Sequence, residues 1–100
     1  MIRHIVMFKL KGQFSDSEKA KNAGLLKEKL DALTGKIKEI VFFESGINFF
    51  ESPAAYDLVL VSDFNSVEDL HAYRVHPEHV KILEFVNQVV EDKVVVDFNK

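Results

Sequence analysis

Residues 2–10 read IRHIVMFKL, and this opening stretch decides the fold because it predicts a strand with two apolar faces. Side chains alternate across a strand. One face carries Ile2, His4, Val6 and Phe8, and the other carries Ile5 and Met7. His4 interrupts an apolar row, so we expect a polar group to be needed on that face.

Downstream of this strand, helix and strand patterns alternate. Ser15 and Glu18 fit a capping box that opens a first helix, which Gly35 ends. Strand patterns cover residues 37–50, 56–64 and 94–98, and Gly46 predicts a bulge or a bend in the first of these. A short helix is expected to begin at Asn65 or Ser66, and a new helical segment runs from Pro77 to about Asp92.

The resulting order is strand, helix, strand, strand, helix, strand, which predicts an α+β, ferredoxin-like βαββαβ fold with an antiparallel sheet. Helices can cover only one face of that sheet. The strands nevertheless look apolar on both faces, since Val59 and Val61 oppose Leu58 and Leu60. We therefore expect a second copy to cover the open face as a homodimer. A monomer with a few exposed aromatic side chains is the alternative.

The composition limits the class of protein. One hundred residues with 47% hydrophobic and 29% charged residues predict one domain spanning residues 1–100. A net charge of -3 gives no field that would recruit nucleic acid or an anionic membrane. There are no cysteines, so thiolate chemistry and disulfides are excluded. Neither a signal-peptide pattern nor a membrane-span pattern is present, which makes the cytoplasm the expected location.

The segment 73–79, YRVHPEH, holds a phenol and two imidazoles around a predicted helix start. His79 lies on a helical stripe with Leu83 and Val86, so it should point towards the sheet. A buried imidazole loses its proton more readily and can act as a base near neutral pH. His76, before Pro77, is expected to cap the helix, and His71 to be solvated.

Together, the opening stretch, the Tyr73-x-x-His76-Pro77-x-His79-Val80 segment and the order of elements resemble the stress-responsive A/B barrel (Dabb) family over the whole chain. The resemblance implies a dimeric α+β barrel with a pocket between each sheet and its helices. Within that family, the chain is similar to olivetolic acid cyclase-type members. This similarity implies that His79 is a general base, Tyr73 a supporting phenol and His4 a pocket histidine. Leu58 stands where those members have another pocket histidine, so the identity of their substrate cannot be assigned to this chain.

Two classes of function follow. In the first, His4, Tyr73 and His79 converge on a pocket that binds a small hydrophobic or aromatic molecule, with or without cofactor-free, cyclase-like proton transfer. The expected apolar walls are Val6, Phe8, Leu58, Leu60, Val80 and Phe85. In the second, the protein is a non-enzymatic, stress-related dimer whose histidines are structural and whose barrel is filled by its own phenylalanines. A cofactor-free oxygenase is a third option without a recognisable motif.

No cofactor and no metal are expected. His76 and His79 are three residues apart but straddle a helix start, and zinc sites need three or four ligands. The resemblance allows a cation on backbone carbonyls at residues 31–37. The four glycines are dispersed, so no loop is available to cradle phosphate.

Overall fold

A computed structural model of residues 1–100 contains one four-stranded antiparallel sheet in the order β2-β3-β1-β4, with helices on one face. The strands are β1 (Ile2–Leu10), β2 (Phe42–Ile47), β3 (Leu58–Phe64) and β4 (Val90–Asn99). The helices are α1 (Asp16–Asp31), α2 (Val67–Val75) and α3 (Pro77–Val89), and a 3-10 turn (Ala32–Gly35) follows α1. The predicted ferredoxin-like α+β fold is confirmed.

The core lies between the sheet and the helices. From the sheet it takes Val6, Phe8, Leu58, Leu60 and Phe64, and from the helical layer Leu26, Leu30, Leu33, Leu70, Tyr73, Ile82 and Val86. Within each strand, the residues of this group are separated by two or four positions along the chain, as expected for one face of a pleated sheet. The core therefore fixes which side of each strand faces the helices.

The opposite face of the sheet, here called the outer face, carries an apolar surface. Strand pairing places on it Ile5, Met7, Phe42, Val59, Val61, Val94, Val96 and Phe98. Val96 is 60% exposed, and the side chains of Met7, Phe42, Val94 and Phe98 are each more than 40% exposed. A contiguous apolar surface of this kind is typical of an interaction site.

A buried ion cluster closes one end of the outer face. Asp63 accepts a bidentate pair of hydrogen bonds from Arg3, at 2.8 and 3.0 Å, and a third from Lys100 Nζ at 3.0 Å. Asp63 is only 2% exposed, and the hydrogen bonds from Arg3 lower its carboxyl pKa to about 2. The carboxylate is therefore charged and fully paired.

Several boundaries differ from those predicted. The strand expected at residues 37–50 is only Phe42–Ile47, because its neighbour β3 offers pairing partners only from Leu58 to Asp63. The last strand begins at Val90 rather than Val94, so α3 is shorter than expected. Gly46 forms no bulge: β2 and β3 pair without a register shift, and the shift in the sheet lies between Lys9 and Leu10.

The predicted helix starts are confirmed. The Ser15 hydroxyl accepts from Glu18 N at 3.2 Å while the Glu18 carboxylate accepts from Ser15 N at 2.9 Å, which completes the capping box. Before Pro77, His76 Nδ1 accepts from Glu78 N at 3.1 Å and so caps α3. No helix in the structure has the length and apolar character needed to cross a bilayer.

Candidate functional site

A cavity of about 360 Å³ lies between the helix-facing side of the sheet and the helices. Nine hydrophobic residues line it: Val6, Phe8, Leu30, Leu60, Tyr73, Ile82, Leu83, Val86 and Val95. Four polar residues complete the lining: His4, Arg74, His79 and Lys93. An apolar space with a few converging polar groups is typical of small-molecule sites.

The three residues singled out by sequence come from different elements and line the same cavity: His4 from β1, Tyr73 from α2 and His79 from α3. Their rings are close, since the Tyr73 ring centroid lies 4.6 Å from that of His79 and 6.2 Å from that of His4. The condition for a shared site, that both histidines lie on the same side of the sheet, is met.

The expected apolar walls are only partly those observed. Val6, Phe8 and Leu60 line the cavity, whereas Leu58, Val80 and Phe85 do not. Leu58 faces the helices but is packed inside the core, and Val80 points outwards with 50% exposure because it lies one residue from His79 on α3. Phe85 packs against the edge of the core under Lys29.

His79 is held as a neutral ring with one free nitrogen. Its Nδ1 lies 2.9 Å from the carbonyl oxygen of Arg74, which can only accept, so Nδ1 carries the proton. Burial lowers the pKa of His79, and the charges of Lys93, His4 and Arg74 lower it further, against the opposing effect of the hydrogen bond. Nε2 is therefore left with a lone pair, as a general base requires.

His4 is oriented by a carboxylate from the last strand. Its Nδ1 is hydrogen-bonded to Asp97 Oδ1, and the other carboxylate oxygen accepts from Arg74 Nη2 at 3.1 Å. A carboxylate accepts only, so it fixes a proton on Nδ1, and Nε2 of His4 has no hydrogen-bond partner within the chain. His4 is 5% exposed, so this partner also satisfies a buried polar group.

Tyr73 supplies a phenol in the middle of the site. The ring is 1% exposed and packs against the rings of Phe43, Phe64, His4 and His79. Burial raises the pKa of its hydroxyl, which therefore keeps its proton at neutral pH. No hydrogen bond joins Tyr73 and His79: His79 Nδ1 binds the Arg74 carbonyl, and the two rings are tilted together. The hydroxyl is free to donate to a ligand oxygen.

This arrangement can move a proton. His79 and His4 each present Nε2 without a protein partner, and the protonated phenol of Tyr73 packs against both rings. One imidazole can accept a proton from carbon, the phenol can donate to the oxygen that becomes negative, and the second imidazole can hold or return a proton.

Sequence reasoning missed three polar residues of the site, namely Arg74, Lys93 and Asp97. Arg74 directly follows Tyr73 on α2. The signal for the other two was present, because alternation in the last strand puts Lys93, Val95 and Asp97 opposite to Val94, Val96 and Phe98. Antiparallel pairing then sets Asp97 beside His4.

No group of three or more histidine, aspartate or glutamate side chains is arranged to hold a metal ion. His76 uses Nδ1 to cap α3, and His79 uses Nδ1 on a carbonyl. In residues 31–37, the Leu33 carbonyl already accepts from the backbone N–H groups of Lys36 and Ile37, both at 3.0 Å. A cation on the carbonyls of that segment stays a prediction.

Comparison with known proteins agrees with the fold. Residues 2–100 match the family described as Stress responsive A/B Barrel Domain. An uncharacterized protein of Streptomyces coelicolor is 37% identical over 79% of this chain and 79% of its own length. The stress-response A/B barrel domain-containing protein DABB1 of Arabidopsis thaliana is 26% identical over 98% of the chain, which spans about half of that relative (46%).

Among solved structures, a dimeric ferredoxin-like protein of unknown function from Bacteroides fragilis is 32% identical, with a TM-score of 0.89 over 99% of this chain and 95% of its own. A hydroxynitrile lyase from Passiflora edulis is 20% identical, with a TM-score of 0.79 over 97% of this chain and 90% of its own. At that identity the second likeness is one of fold alone.

Proposed function

The chain belongs to the stress-responsive A/B barrel domain family, and from that premise we propose that it is a homodimer in which each cavity binds a small apolar or aromatic molecule and moves a proton at an activated carbon. The observation that carries the proposal is the convergence of His4, Tyr73 and His79 on one cavity. The apolar outer face and the dimeric state of the Bacteroides fragilis structure support the homodimer.

His79 is the base in the proposed reaction. Its Nε2 takes a proton from a carbon next to a carbonyl group, and the C–H electron pair forms the enolate double bond. The carbonyl oxygen then becomes negative and accepts a hydrogen bond from the Tyr73 hydroxyl. His4 Nε2, with Nδ1 held by Asp97, relays a proton to or from the substrate oxygen. In a substrate with a second carbonyl group, the enolate carbon can attack it, which is the aldol step of a cyclase-like lyase.

The non-enzymatic alternative has less support. It requires a barrel filled by the protein's own phenylalanines, whereas strand pairing places only Phe42 and Phe98 of the nine phenylalanines on the outer face, and Phe49 and Phe50 are 95% and 73% exposed. The oxygenase alternative rests on a likeness of fold, since an antibiotic biosynthesis monooxygenase structure is only 13% identical. Neither alternative makes use of free nitrogens on two oriented histidines.

Hydrogen exchange at a carbon acid tests the proposal without knowledge of the natural substrate. Phenylacetone is small and aromatic, and its benzylic protons exchange slowly with solvent at neutral pH. We expect the protein to accelerate deuterium uptake from D2O, measured by ¹H NMR. His79→Ala should lose on the order of 10² to 10⁴ of that acceleration, and Tyr73→Phe less, because it removes one hydroxyl and keeps the ring. The acceleration should also fall at acid pH with a midpoint below 6.5, because the pKa of His79 is lowered from that value.

His71→Ala is the matched control, since His71 is an exposed histidine on α2 outside this cavity. It should leave exchange unchanged. Exchange at the buffer rate, or acceleration that survives His79→Ala in a folded variant, would contradict proton transfer. If the two site variants instead lose roughly 1 to 3 kcal/mol of stability and bind phenylacetone as well as before, the residues are structural.

A further inference from the structure

The charges that line the cavity are all positive. Arg74 and Lys93 are in the lining, burial disfavours a positive charge on His79, and no aspartate or glutamate lines the space. This is notable in a chain whose formal net charge is -3. The cavity therefore presents a local potential of the opposite sign to that of the whole protein.

Of the two cations, only Lys93 is uncommitted. Arg74 Nη2 is paired with Asp97 at 3.1 Å, in the same carboxylate that orients His4. The Lys93 side chain makes no hydrogen bond and no ion pair within the chain, although Asp92 precedes it directly. Its ammonium group can therefore pair with a ligand without first losing a protein partner.

The strand places Lys93 beside the site. It pairs across the ladder with Phe8, and Val95, two residues on, pairs with Val6, so that all four lie on the helix-facing side of β1 and β4 and line the cavity. The charge of Lys93 also contributes to the lowered pKa of His79 on the opposite wall. The ammonium group is exposed at the edge strand, while the cavity beside it is apolar.

We infer that the ligand of this cavity is an amphiphilic monoanion, an apolar or aromatic body with one carboxylate, and that Lys93 is the residue that selects the carboxylate. This inference rests on the proposed small-molecule site. The apolar body would occupy the space lined by Leu30, Leu60, Ile82 and Val86, and the carboxylate would lie at the β4 edge. A single free cation suits one negative charge, and the site offers no cluster of basic residues or glycine loop of the kind that holds polyphosphates.

A purely structural role for Lys93, the protection of an edge strand, makes a different prediction. β4 is an edge strand, and lysines on edge strands prevent pairing with other chains. If that were its only role, replacing Lys93 would increase self-association and leave ligand preference unchanged. Ligand preference and self-association are therefore both measured.

The test uses 3-phenylpropionate and 3-phenylpropionamide, which share shape and differ in charge. Binding is measured by NMR titration of the full chain at pH 7, at low and high salt. We expect the carboxylate to bind about fivefold more tightly than the amide. This factor corresponds to the upper end of the range of free energies measured for exposed ion pairs. The preference should shrink at 1 M salt, where screening acts over roughly 3 Å.

Lys93→Gln should bring the two affinities together without changing that of the amide, and Lys93→Arg should restore the preference. The matched control is Lys81→Gln, which removes the same charge from the 72% exposed side chain of a lysine on α3. Equal binding of the two probes by the wild type, or a preference that survives Lys93→Gln, overturns the inference while leaving the cavity as a ligand site. Binding of neither probe overturns both this inference and the proposed small-molecule function.

Discussion

The orientation of the His4 ring depends on the carboxylate of Asp97, which lies 93 residues further along the chain. Asp97 fixes the proton on Nδ1 of His4 and also holds Arg74, so one side chain sets both the tautomer of a cavity histidine and the position of a cavity cation. In the proposed reaction Asp97 touches neither the substrate nor the reacting atoms. It is a positioning residue, and its effect should be visible in the ring that it orients.

Asp97→Asn is expected to slow phenylacetone exchange by at least roughly tenfold, because the amide gives His4 a weaker acceptor and can offer a donor to Nδ1 instead. The ¹⁵N chemical shifts of His4 should report a change in tautomer, which a loss of stability alone would not produce. Asp92→Asn is the control, since Asp92 lies on the same strand and accepts from Tyr56 outside the cavity. Unchanged His4 shifts would contradict the positioning role.

At the residue scale, the sequence could predict only those features that depend on the local pattern of side chains. Alternation along β1 predicted which residues share a face of the strand with His4, and the helical stripe predicted that His79 points towards the sheet. The hydrogen bond between His4 and Asp97 needed the register of β1 with β4, which is a long-range property of the assembled sheet. The direction in which Lys93 points depended on the same register.

At the scale of elements, the break between α2 and α3 builds the site. His76 leaves the helical region with ψ 135°, as the residue before a proline does, and Pro77 starts α3. The break frees the Arg74 carbonyl to accept from His79 Nδ1 and brings the His79 ring to 4.6 Å from Tyr73. Both the break and the capping role of His76 could be predicted, because they depend on neighbouring residues only.

His76→Ala should lower the free energy of unfolding by about 1 kcal/mol, because Glu78 N loses the acceptor that caps α3. Chemical denaturation followed by far-UV circular dichroism measures the change. His71→Ala should stay within about 0.5 kcal/mol of the wild type, since His71 is exposed and caps nothing. Equal stability of the two variants would show that the cap does not contribute.

The second strand illustrates where element prediction failed. Residues 37–50 are rich in β-branched and aromatic side chains, yet only Phe42–Ile47 pairs. Ile37 instead lies just after the 3-10 turn and is buried in the core, and Phe49 and Phe50 point into solvent. Strand propensity records how a side chain fits a half-buried surface, and it cannot supply the pairing partner on which strand length depends.

At the scale of the whole molecule, the two faces of the sheet have different tasks. The helix-facing side builds the cavity, and the outer face gives an apolar surface closed at one end by the Asp63 ion cluster. The presence of two apolar faces was readable from alternation in β1 and β3. The assignment of Val61 to the outer face and Phe43 to the core was not, because it required knowledge of the side on which the helices pack.

Val96→Glu should convert the proposed homodimer into a monomer. Val96 is 60% exposed in the single chain and pairs with Ile5 on the central strand of the outer face, so a two-fold axis across this face would bury it in each subunit. Burying two unpaired carboxylates costs several kcal/mol, which exceeds what one apolar side chain contributes to association. Light scattering at micromolar concentration should therefore give twice 11.5 kDa for the wild type and 11.5 kDa for the variant. Val67→Glu, in the first turn of α2, adds the same charge to a 52% exposed valine that belongs to the helical layer and not to the outer face, so this variant should stay dimeric. A wild type that remains monomeric, or a Val96→Glu protein that still dimerises, would place the partner elsewhere and leave the outer face unexplained.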